Sequence, residues 1–121
     1  MAYLLVIHPK TAEADRHAFV LKKMGYGYAR QTSAREAREF IPLMPLQPDC
    51  ILVDVGALGH DPQLAVDRLR REAPDSAIIC LHAADEERPR LGIKGVKWFK
   101  WPSISWPARE VDAHWQELLL D

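Results

Sequence analysis

Side chains capable of acid–base or metal chemistry stand at or just beyond the ends of short apolar runs. His8 follows Leu4-Leu5-Val6-Ile7, Asp54 closes Cys50-Ile51-Leu52-Val53, His82 follows Ala77 to Leu81, and His60 lies a short way beyond Asp54. Imidazoles with a carboxylate are the donor types of a zinc or other transition-metal site, so His8, Asp54, His82 and His60 form one candidate set. Their spacing in the chain is not compact. The competing reading makes each histidine a neutral partner for Asp54 or a group facing water. Cys50 and Cys80 sit inside apolar runs with no neighbouring base, as small buried hydrophobes in a reducing compartment do. After the first run the turn is His8-Pro9-Lys10-Thr11. It carries no glycine-rich phosphate loop and only one hydroxyl, which speaks against a dinucleotide or flavin site.

A second concentration of chemistry lies near the C-terminus. Trp98, Phe99, Trp101 and Trp106 crowd one stretch and alternate with Lys94, Lys97 and Lys100. Rings interleaved with cations suit single-stranded nucleic acid, which binds by stacking along a positive groove. The whole chain opposes that reading: 16 Lys plus Arg against 17 Asp plus Glu leave a net charge of −1, without the cation surplus that phosphate contacts need. A solvated edge beside a protein-binding surface fits better, with Trp98, Trp101 and Trp106 as its anchors. For Trp101 the expectation is an outside position, because a polar floor of carboxylate and imidazole matches an indole poorly.

The elements that must position these residues are legible as alternating patterns. Leu4 to Ile7, Cys50 to Val55, Ala77 to Leu81 and Val96 to Phe99 read as strands, the first three apolar enough to be buried on both faces. Tyr26 to Ala29 is a weaker strand between glycines. Between them lie helical patterns: one from a Thr11 cap to Met24 with Gly25 as its stop, and one from Ser33 to Ile41 opened by a Ser33/Glu36 capping box and ended by Pro42. A third starts at Asp61-Pro62 and runs to Glu72; a last one, capped by Ser105, places Val111, Trp115 and Leu118 on one face. The segment Ala84 to Lys94, with its charge run, Pro89 and Gly92, predicts a short or deformed helix at most.

Strands alternating with helices imply a parallel sheet covered on both faces, here a flavodoxin-like α/β fold with strand order 2-1-3-4-5. The 121 residues fit one domain, 1–121, with 48% apolar and 27% charged residues as in an ordinary soluble protein. No run is long enough to span a bilayer and no secretory signal is visible, so a cytoplasmic protein without a membrane partner is expected. In this topology ligand sites lie at the carboxyl ends of the strands. That brings His8, Asp54, His82 and the Lys100 to Pro102 turn to one rim.

With those residues in place, the chain resembles a response-regulator receiver domain over essentially its whole length. Asp54 stands at the family's phosphoacceptor position, Gly95 at the glycine before strand five, Trp98 at its switch aromatic and Pro102 at the proline after its lysine. The resemblance implies a place in two-component signalling and protein partners, a histidine kinase or an output domain. The departures are as informative. His8 and Pro9 replace the acidic pair that holds Mg²⁺, His82 replaces the Thr or Ser after strand four, and Trp101 replaces the lysine, with Lys100 shifted by one position to the opposite face. The resemblance is therefore to atypical, pseudo-receiver members, with no catalytic residues, no cofactor and a lost Mg²⁺ site. Such a module acts by protein–protein interaction. The alternatives are a working phosphoacceptor at Asp54 and a metal or ligand sensor at the His8–Asp54–His82 rim.

Overall fold

The computed structural model describes residues 2–103 and 105–119. Its centre is a five-stranded parallel sheet in the order β2-β1-β3-β4-β5, with β1 Tyr3–Ile7, β2 Gly27–Gln31, β3 Cys50–Asp54, β4 Ala77–His82 and β5 Lys97–Lys100. The expected fold is therefore the observed one. Strands β1, β3 and β4 occupy the middle of the sheet and are buried almost throughout, which is why they read as continuous apolar runs and not as alternating ones. The half-buried β2 and β5 form the edges.

Alternation along the strands sorts the core into two layers. Leu4, Val6, Leu52, Ile79 and Leu81 face α1 (Thr11–Lys23) and α4 (Ala108–Leu119), where Leu21, Trp115 and Leu118 meet them. Leu5, Ile7, Ile51, Val53 and Cys80 face α2 (Ala34–Phe40) and α3 (Pro62–Glu72), which contribute Ala37, Val66 and Leu69.

The caps follow the sequence in part. Ser33 Oγ accepts from the Glu36 N–H at 3.1 Å, and Asp61 Oδ1 from the Leu64 N–H at 3.1 Å. Glu36 completes no reciprocal capping box; its carboxylate takes the Thr32 hydroxyl instead. Two expected caps are corrected. Thr11 is the first residue inside α1, with Lys10 at the cap position, and Ser105 lies outside α4. The last helix starts after Pro107, whose carbonyl accepts from Glu110 and Val111.

Between β4 and β5 there is no helix at all. Residues 83–96 run as turns and irregular backbone. The far end of this segment is fixed by α3: Gln63 Oε1 accepts from the Lys94 N–H at 2.8 Å, and Arg70 Nη2 donates to the Gly95 carbonyl at 2.6 Å. Gly95 has φ +79°, and a Cβ there would meet Arg70 Nη2 at 2.5 Å, PLACEHOLDER Arg88 folds back over the Trp98 ring, 5.0 Å from its centroid.

Candidate functional site

Asp54 ends β3 at the carboxyl rim of the sheet, and three groups surround its carboxylate. Trp101 Nε1–H donates to Oδ1 at 2.7 Å, the Gly56 N–H donates to Oδ2 at 2.9 Å, and His8 Nε2 lies 3.7 Å from Oδ1. The Lys10 N–H donates to His8 Nδ1 at 3.0 Å, which assigns the imidazole proton to Nε2, facing Asp54. Burial pushes the His8 imidazole below its ordinary pKa, against the upward pull of the Asp54 carboxylate. The ring of Pro9 closes the near side: a Cβ on Gly56 would come 2.9 Å from Asp54 Oδ2 and 3.7 Å from Pro9 Cγ.

Trp101 is not an outside anchor, which corrects the expectation. It is 4% exposed, and its ring stacks on His17 at 4.5 Å between centroids with 20° between planes. The edge of Trp115 meets it at 5.9 Å, and His8 lies 5.4 Å away. Two physical reasons decide the orientation. The Trp101 N–H donates to the His82 carbonyl at 2.8 Å, prolonging the β5 pairing, so Trp101 falls two residues from Phe99 on the α1/α4 face. The carboxylate floor, an obstacle to a ring without a donor, is an acceptor for the indole N–H.

His17 is the site residue that sequence reading overlooked. It projects from the buried stripe of α1, between Ala14 and Leu21. That spacing is the signal that would have found it. Burial, with Arg16 and His8 adding to the effect, pushes its pKa down to about 3, so it stacks on Trp101 as a neutral ring.

The other expected members do not join this cluster. His82 places Nδ1 3.0 Å from the Ala83 carbonyl and lines a separate cleft of about 360 Å³ with Arg88, Trp98, Phe99, Lys100 and His114. His60 is exposed on the loop before α3. Among the described residues no three His, Cys, Asp or Glu side chains are gathered to hold a metal, which corrects the His8/Asp54/His82/His60 set. The residues present also do not fit the family's Mg²⁺: one carboxylate, both oxygens engaged by N–H donors, flanked by an imidazole and a proline ring. Lys100 offers no replacement for the family lysine, since its ammonium lies over the Trp106 ring at 5.5 Å. Trp106 and Trp98 are half-buried along this rim. Burial raises both cysteines, Cys50 to about 12 and Cys80 to about 11, so neither is a nucleophile.

No family model matches the sequence, and no curated protein matches it. Solved structures do resemble the fold. The response regulator TrrA of Thermotoga maritima, in complex with Mg²⁺ and beryllofluoride, aligns at a TM-score of 0.73 with 19% identity, covering 98% of this chain and 100% of that one. The N-terminal domain of a response regulator/sensory box/GGDEF protein of Carboxydothermus hydrogenoformans aligns at 0.72 with 19% identity, covering 98% and 94%. A response regulator of Chloroflexus aurantiacus aligns at 0.70 with 20% identity, covering 99% and 98%. The fold is that of a receiver domain. Among the described residues no helix is long and apolar enough to cross a membrane.

Proposed function

We propose that the chain is a receiver-like signalling module that works through protein contacts, with Asp54 retained as a structural carboxylate. The observation that carries this reading is the 2.7 Å hydrogen bond from Trp101 Nε1 to Asp54 Oδ1. Phosphoryl transfer depends on cations placed around the moving group. Here the groups facing Asp54 are an indole, a backbone amide and an imidazole whose charged form burial disfavours. A phosphorus atom reaching Oδ1 would first have to displace a buried tryptophan from its stack on His17. In this reading the chain is not an enzyme and holds no cofactor.

The contact surface on this reading is the β5–α4 rim. Trp106 is half-buried there, its ring 5.5 Å from Lys100 Nζ and edge-on to His114 at 5.2 Å. Trp98 lies along the same edge strand, whose outer backbone is unpaired within the sheet. The partner is a protein of a signalling pathway, of the histidine-kinase or output-domain class. TrrA, which aligns here at a TM-score of 0.71 with 18% identity, has itself been crystallised with the histidine kinase ThkA.

Incubation with acetyl phosphate and Mg²⁺, followed by intact-mass measurement, tests the reading. An unmodified mass is the expected result. A stoichiometric, Mg²⁺-dependent adduct at Asp54 would establish the phosphoacceptor instead.

A further inference from the structure

Away from the Asp54 rim, a groove of about 440 Å³ runs between α2 and α3. Its floor is apolar, made by Ala34, Leu58, Ala65 and Leu64, the last 39% exposed. Arg35, Arg38 and Arg68 line it. Elsewhere Arg16 pairs with Glu13, Arg30 with Asp15 and Arg70 with Asp67, whereas among the described residues these three form no ion pair. Asp61 also lines the groove, but its carboxylate caps α3 through the Leu64 N–H. Three unpaired guanidinium groups over an apolar floor are a local cation excess on a chain whose net charge is −1.

From this arrangement we infer that the α2/α3 groove is a docking site for an acidic amphipathic helix of a partner protein. Charge complementarity selects carboxylates, which guanidinium groups bind in a paired, planar geometry. The floor selects Leu-like side chains between them. Helical form follows from what the walls offer. Both walls are helices whose backbone groups are engaged internally, so an extended peptide would find no strand edge to pair with. A helix brings its own backbone hydrogen bonds and presents one apolar stripe with acids at its flanks. The inference rests on the reading of the chain as an interaction module; the acetyl phosphate experiment tests that reading, and the titration below tests the groove alone.

The probe is a synthetic acidic peptide of about five helical turns, with Leu at helical spacing on one face and Glu on the other. It is titrated into the ¹⁵N-labelled full chain, beside a scrambled peptide of equal composition and inorganic pyrophosphate. Saturable amide shifts centred on α2 and α3 are expected, with binding at least tenfold weaker for the scrambled peptide. The Arg35→Gln/Arg38→Gln/Arg68→Gln variant, changed only at groove-lining side chains and checked for an unaltered melting temperature, should bind at least tenfold more weakly. If that variant fails to fold, Arg35→Gln/Arg68→Gln is used, with the same expected direction. Absent saturation, equal binding of the scrambled peptide, an unaffected variant, or pyrophosphate binding the same residues as tightly would each overturn the proposal.

Discussion

Trp101 is held by two interactions that reinforce each other, a hydrogen bond to Asp54 and stacking on His17. Trp101→Ala removes both and opens a cavity, so chemical denaturation should show a loss of about 3–5 kcal/mol, as for other buried aromatics. Trp101→Phe keeps most of the packing and leaves Asp54 Oδ1 without its donor, for a loss of about 1–3 kcal/mol. An unchanged denaturation midpoint in both variants would mean that the indole is not part of the core. His17 adds a pH dependence with a definite sign. Its folded pKa, about 3, lies below its ordinary value of 6.5, so the unfolded chain binds the extra proton first. The stability from neutral His17 is therefore fully present above about pH 6.5 and is lost as the pH falls toward 3, by up to about 1.4 kcal/mol per pH unit. Around it stand Glu13, Arg16, His8 and the rings of Trp101 and Trp115. Denaturation of His17→Phe at pH 7 and pH 5 should show a shallower fall than the parent chain; equal slopes would contradict the assignment. At this scale the sequence located Asp54, as the polar end of an apolar run, but not its company. The direction of Trp101 depends on β5 pairing that extends one residue past the apolar pattern, and the role of His17 on a neighbouring helix face.

The elements were the more legible level, because their signals are local. Buried runs gave the strands, and Ser33 and Asp61 gave two helix starts. Thr11 and Ser105 failed as caps because capping oxygens are common in loops and the backbone decides which one is used. Pro89 and Gly92 correctly marked the segment between β4 and β5 as unsuited to a regular helix. What replaces the helix was hidden, since it depends on α3 side chains reaching backbone groups more than twenty residues away. Arg70→Ala should loosen that segment alone. Amide exchange in residues 90–96 should quicken about fivefold, the equivalent of ~1 kcal/mol, while β1 and β3 remain as protected as before. Exchange that quickens equally across the sheet would show that Arg70 supports the whole fold. Gly95→Ala should act on the same segment and also destabilise the chain by about 1–2 kcal/mol through its φ of +79°.

At the scale of the molecule, the receiver fold places Asp54 at a rim where the substituted residues have produced a closed aromatic cluster. His8, His17, Trp101 and Trp115 tie β1, α1, β5 and α4 together around one carboxylate. The charged and metal-bound cleft implied by the family resemblance is thus replaced by packing, and the surfaces left for signalling are the β5–α4 rim and the α2/α3 groove. The most direct measurement follows the Trp101 indole N–H resonance in ¹H–¹⁵N spectra, assigned by its loss in Trp101→Phe. Of the four tryptophans, it is the one whose indole N–H donates to Asp54. Adding Mg²⁺ and beryllofluoride, the mimic of a phosphorylated aspartate, should leave that resonance in place while Asp54→Ala shifts it. A saturable, Mg²⁺-dependent displacement of the Trp101 resonance by beryllofluoride would mean that Asp54 is open to a phosphoryl group, and the account would be wrong.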